Sequence, residues 1–90
     1  MNQSKTLRQS NLLQRITICA EVHSGKPCVR NLRLLVEDII GMLASGDYFE
    51  TILRKNPGLE KDDILASLEY ARRMVAHESL EDFSLTPLFE

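Results

Sequence analysis

Tryptophan is absent from this chain, and only two tyrosines and three phenylalanines are present. Two of the phenylalanines, Phe83 and Phe89, fall in the last eight residues, an odd place for core aromatics. The body must therefore be built from aliphatic side chains. Two cysteines are too few for the multi-bridge framework of a small secreted domain. No hydrophobic run approaches the roughly 20 residues that span a bilayer. Met1 to Arg15 lacks the apolar stretch of a signal peptide. These absences point to a cytoplasmic protein with reduced thiols and no membrane association.

Catalytic parts are missing as well. Ser24 or Cys28 beside His23 offers a nucleophile and a base at best, with no orienting acid or oxyanion donors in view. Ser24-Gly25-Lys26 lacks the G-x4-G-K-[ST] frame of a phosphate loop. Cys19, His23 and Cys28 are three potential zinc ligands, but structural zinc takes four, with paired cysteines closely spaced. Here the cysteines stand nine positions apart, and His77 lies far along the chain. No residue is assigned to catalysis, a cofactor or a metal. A chain of 90 residues allows one domain, and its small core leaves stability thin unless a partner adds to it.

What the chain does have is charge in the right places. The net charge of −2 gives no general argument for nucleic-acid binding. Its distribution says more. Residues 1–35 carry Lys5, Arg8, Arg15, Lys26, Arg30 and Arg33 against Glu21. Residues 78–90 carry Glu78, Glu81, Asp82 and Glu90 and no base. The head suits phosphate and the tail suits a basic protein surface.

Residues 1–15 are polar, with Leu7, Leu12 and Leu13 as anchors, and read as a mobile or weakly helical arm. Ile16-Thr17-Ile18-Cys19 is β-branched and alternating, which favours a short strand. His23 to Pro27 is turn chemistry. Cys28 to Leu35 alternates loosely and reads as a second extended piece. Two such strands alone are marginal in water and need a helix or a second subunit beneath them. Apolar residues at 36, 39, 40 and 43 give a helix over Val36 to Ala44. Glu37 and Asp38 complement its dipole, and Ser45-Gly46 ends it. Asp47 with Glu50 reads as a capping box for a second helix, buried through Phe49, Ile52 and Leu53. Asn56-Pro57-Gly58 stops that helix, and Leu59 plugs the turn. A third helix runs from about Glu60 to about His77, with Ile64, Leu68, Ala71 and Val75 as its core line, Leu65 and Met74 flanking. Glu69 reaches Arg72 and Arg73 at i+3 and i+4.

Three helices with a tight Pro-Gly turn resemble a tri-helical DNA-binding unit. Yet the third helix begins with Glu60, Asp62 and Asp63, which phosphates repel; a scaffold with a solvated charged face fits that helix better. Lys26, Arg30 and Arg33 form the stronger candidate for phosphate contact. The competing reading is an edge strand protected from aggregation by charge. Residues 78–90 have no helical period, yet carry Leu80, Phe83, Leu85, Leu88 and Phe89. Left in water, five large apolar groups cost solubility. They fold back on the core or lie in a partner's groove.

Taken in order, His23-x-Gly25-Lys26-Pro27-x-Val29-Arg30-x-x-Arg33-x-x-Val36, Leu43-Ala44-Ser45-Gly46, Ile52-Leu53, Asn56-Pro57-Gly58-Leu59, Asp63-Ile64 and Leu68-x-Tyr70-Ala71 resemble the small bacterial family labelled domain of unknown function 433. The resemblance runs from about Ile16 to Val75. Between its two arginines the family usually has Gly-Thr, where this chain has Asn31-Leu32; asparagine also takes the left-handed conformation. The resemblance implies a mainly α fold: a homeodomain-like three-helix (helix-turn-helix) bundle preceded by a short β segment. It also implies kinship with antitoxins of type II toxin–antitoxin pairs, whose toxin has a PIN-like nuclease fold.

The expectation is therefore an N-terminal arm (1–15), a strand plus three-helix domain (16–77) and an extended tail (78–90). The body would dimerise and touch operator DNA through Lys26, Arg30 and Arg33. The tail would place Leu80, Phe83, Leu85, Leu88 and Phe89 on a cognate toxin. The alternatives are a stand-alone DNA-binding regulator and a homodimeric scaffold without nucleic acid.

Overall fold

The computed structural model describes residues 11–18, 23–30 and 32–78. Strand β1 (Ile16–Ile18) pairs antiparallel with β2 (Pro27–Val29), in the register Ile16 to Val29, Thr17 to Cys28 and Ile18 to Pro27. Helices α1 (Val36–Ala44), α2 (Phe49–Lys55) and α3 (Lys61–Ala76) follow. The protein is mainly helical, with a short two-stranded antiparallel sheet before the helices. None of the described helices is long and apolar enough to cross a membrane.

Both strands are short, and the stop after β2 has a local cause. β1 is β-branched and buries Ile16, and the next same-face residue, Ile18, packs against the same apolar cluster. The turn at His23–Gly25 places Ser24 and Gly25 at positive φ. The extended piece expected from Cys28 to Leu35 is not continuous. It stops at Val29, because Arg30 takes a left-handed φ of 43° and the chain folds over. Val29 N–H then bonds to Leu34 O (2.9 Å), and Leu32 N–H to Val29 O (2.9 Å). Leu35 returns to bridge Cys28. The bend lies at the first arginine itself.

α1 has the bounds that its spacing gives, with Val36 and Ile39 buried and Ile40 and Leu43 half-buried. Leu35 cannot accept a bond through its side chain, so its N-terminus is closed from one side only: Asp38 Oδ2 accepts from Leu35 N–H (3.0 Å). Gly46, at φ 97°, follows the last turn, as helix ends with glycine do. α2 starts one residue later than a cap at Asp47 would place it. Its N-cap is Tyr48, and no side chain caps it. Asn56 closes its other end by donating Nδ2–H to Ile52 O (2.8 Å). Leu59 is buried under the turn, as anticipated.

Two apolar clusters meet along α3. Leu12, Leu13, Ile16, Val36, Ala66 and Tyr70 form one; Val29, Ile39, Ile52, Leu59 and Ile64 form the other. Leu12 and Leu13, placed by sequence in the arm, sit inside the first cluster. The core line read for α3 is out of phase. Ile64 is buried, but Leu68 is 38% and Val75 81% exposed. The inward face carries Asp63, Ile64, Ala66, Ser67, Glu69, Tyr70 and Arg73. Polar groups there are satisfied rather than absent: Ser67 donates Oγ–H to Asp63 O (3.0 Å), and Arg73 bonds Glu69. Apolar periodicity is blind to an inward face of this kind.

Helix phase gives a direct test. Ile64→Ala should lower unfolding free energy by about 2–5 kcal/mol, as buried truncations do, whereas Val75→Ala should change it by about 0.5 kcal/mol or less. Denaturant midpoints of the two variants check this; equal losses would restore the apolar line as the buried face.

Candidate functional site

Asp63, at the third position of α3, is 0% exposed. A buried carboxylate must be paired and hydrogen-bonded, because desolvation of a bare charge is prohibitive. Asp63 meets that demand from three directions. Arg30 donates Nε–H to its Oδ1 (2.8 Å) and an Nη2–H to its Oδ2, a bidentate fork. Arg15 donates Nη1–H to Oδ1 (3.0 Å). Glu60 N–H reaches Oδ2 (2.8 Å), closing the start of α3. Arg30 also donates to Gly58 O (2.9 Å). One carboxylate thus ties the residue before β1 and the residue after β2 to the start of α3.

The backbone around Arg30 is held by the same arrangement. Its left-handed conformation is disfavoured for a side-chain-bearing residue by about 1–3 kcal/mol. Arg30 N–H bonds to Arg15 O (2.8 Å), and Thr17 donates Oγ1–H to Arg30 O (3.2 Å). Burial by itself would push the Asp63 carboxyl up. The Arg30 fork, the Glu60 N–H and Arg15 outweigh it and hold the carboxyl below its ordinary range. Both arginines are correspondingly held more firmly in the charged state, Arg15 first by Glu60 and Arg30 first by Asp63.

A second charged group lies near the far end of α3. Glu69 accepts from Arg72 (3.1 and 3.0 Å) and from Arg73 Nε (2.8 Å). The i+3 and i+4 spacing anticipated this geometry, though not that Glu69 and Arg73 would be buried. The two arginines, Arg72 first, hold the Glu69 carboxyl below its usual value. His77 takes a left-handed φ of 59°, and Glu78 then reaches back to Arg72 (2.9 Å).

The residues expected to meet DNA are not alike. Lys26 pairs with Glu37 on the surface (3.1 Å), and the Arg30 guanidinium is engaged by Asp63 and Gly58. Arg33 is exposed and forms no ion pair among the described residues. The tail residues Leu80, Phe83, Leu85, Leu88 and Phe89 lie outside the described residues. The acids that argued against α3 as a DNA reader are mostly turned to internal use. Asp63 is fully buried, while Glu60 and Asp62 face Arg15 at 2.8 and 3.8 Å.

Sequence reading passed over three other exposed cations, Arg54, Lys55 and Lys61, which form no ion pair among the described residues. Their position on either side of Asn56 to Glu60 was the available signal. No group of three or more His, Cys, Asp or Glu among the described residues is placed to hold a metal ion. Cys28 is buried.

The Asp63 arrangement predicts acid sensitivity. A carboxyl held low in the folded state stabilises the fold above its unfolded value, near 3.8, and that contribution is lost as pH falls through the folded value. Asp63→Asn should cost about 3–5 kcal/mol at neutral pH, the usual loss when one partner of a buried pair is removed. It should also flatten the fall in stability between about pH 5 and pH 2. Urea titrations of both proteins across that range check this; parallel curves would show that Asp63 carries no linkage.

Comparisons with known proteins bear on the same segment. No curated protein matches the chain. A solved structure of a DUF433 member protein from Anabaena variabilis superposes with a TM-score of 0.67 at 25% sequence identity, covering 84% of this chain and 74% of that one. The family model described as "Protein of unknown function (DUF433)" matches residues 16–71, from the first residue of β1 to α3 beyond Asp63, and the chain belongs to that family.

Proposed function

We propose that this chain is an antitoxin-like binding protein rather than an enzyme. It masks a nuclease of PIN-like fold through residues 78–90 and acts as a homodimer that also meets its own operator. The observation that supports a protein partner is the set of exposed apolar side chains along α3. Leu68, Met74 and Val75 are 38, 48 and 81% exposed, and the chain then enters a tail bearing Leu80, Phe83, Leu85, Leu88 and Phe89. Exposed apolar surface of this kind marks interaction sites, and a tail that orders on binding wraps a large area of its partner. Glu81 and Asp82 suit the basic lining of an RNA path. The nuclease identity of the partner rests on family kinship with antitoxins.

Co-expression with the product of the adjacent reading frame tests this. Full-length protein should co-purify with that product and suppress its RNA cleavage. A chain ending at His77 should bind at least about tenfold more weakly, since interface anchors each carry about 1–2 kcal/mol or more. Equal binding by the two forms would remove the tail from the mechanism. A stable homodimer that binds neither the neighbour nor DNA would favour a plain scaffold.

A further inference from the structure

The cations of this protein divide into two sets. Lys5 and Arg8 aside, every lysine and arginine lies among the described residues. Arg15, Lys26, Arg30, Arg72 and Arg73 are each held by a carboxylate. Arg33, Arg54, Lys55 and Lys61 are exposed and hold none among the described residues. All four surround one turn. Arg54 and Lys55 close α2, and Lys61 opens α3. Arg33 belongs to the loop that docks on the turn: a Cβ built on Gly58 would lie 3.5 Å from Leu32 Cδ2, and Arg30 bonds Gly58 O. The neighbouring acids are largely accounted for, because Asp63 is buried and Arg15 faces Glu60 and Asp62. Glu50, one turn before Arg54, is exposed.

We infer that the turn between α2 and α3, with Arg33, Arg54, Lys55 and Lys61 around it, is a contact surface for the sugar-phosphate backbone of duplex DNA. This deepens the operator-binding part of the proposed function and is independent of toxin masking. Four exposed charges on rigid helix ends and a docked loop suit a regular array of phosphates, where affinity comes from counterion release. No aromatic side chain among the described residues stands among them: Tyr48 is at the opposite end of α2, and Phe49 packs into the core. A single strand, which binds by base stacking on aromatic platforms, is therefore poorly served. An acidic peptide needs an apolar anchor pocket, and the large aliphatic side chains nearest the turn, Ile52 and Leu59, are buried. The surface positions the protein on DNA; it reads no base by itself.

The test is fluorescence anisotropy of the full-length protein with a labelled duplex of its own promoter, titrated over a range of salt from about 50 mM upward. Two triple variants with the same charge change are compared. One is Arg54→Gln with Lys55→Gln and Lys61→Gln; the other is Lys5→Gln with Arg8→Gln and Lys26→Gln. Far-ultraviolet circular dichroism confirms that both are folded. Four phosphate contacts give a slope of log K against log salt of about −3.6. The turn variant should weaken binding at least tenfold and bring the slope to about −0.9, the one contact left by Arg33. The N-terminal variant should change affinity less than threefold. An equal or larger loss in the N-terminal variant would overturn the assignment, as would an absence of wild-type binding at the lowest salt. Tighter binding to the single strand than to the duplex would also overturn it. Loss of DNA binding with toxin co-purification intact would leave the masking role standing.

Discussion

A single buried carboxylate organises this protein. Asp63 sits where the strand pair and the N-terminus of α3 converge, and Arg15, Arg30 and the Glu60 N–H each donate to it. Without Asp63, the Arg30 guanidinium would keep only Gly58 O, and the left-handed backbone would rest on its bonds to Arg15 O and Thr17 alone. Without Arg30 and Arg15, the carboxylate would be an unpaired charge in an apolar interior. The short sheet, marginal by itself, is joined to the helices by these ion pairs as well as by Ile16, Val29 and their apolar neighbours. A small core with little aromatic content gains more from such a tie than a large one does.

The same tie decides what is left for function. Arg15 and Arg30 are drawn inward, and with them much of the positive charge of the first 35 residues. The acids at the head of α3 are neutralised in place. Exposed among the described residues are a set of cations around the α2–α3 turn and, farther along α3, Leu68, Met74 and Val75. This separation would let one body meet a nucleic acid at the turn and a protein farther along α3.

Local signals in the sequence were legible where structure is local. The bounds of α1, its end at Ser45-Gly46, the stop at Asn56-Pro57-Gly58, the plug at Leu59 and the Glu69 pairings all follow from spacing and turn chemistry. Family-level resemblance carried the order of elements. What was not legible depended on contacts distant in sequence. Arg30 and Asp63 stand 33 positions apart, and nothing in either neighbourhood announces the pair. Arg30 therefore read as a surface base and Asp63 as a surface acid. The phase of α3 was missed for the same reason. A helix that buries Asp63, Ser67, Glu69 and Arg73 shows no apolar stripe, while Leu68 and Val75, which face outward, supply a false one. The unpaired character of Arg54, Lys55 and Lys61 was invisible because it is defined by which other charges have found partners.

A double-mutant cycle on Arg30 and Asp63 goes straight to the central claim. Unfolding free energies are measured for the wild type, Arg30→Ala, Asp63→Ala and the double variant. If the pair anchors the strand loop to α3, the double variant should lose less than the sum of the singles, with a coupling of about 1–3 kcal/mol. A coupling near zero would mean that the two residues act independently and that the strands are held to the helices by apolar packing alone.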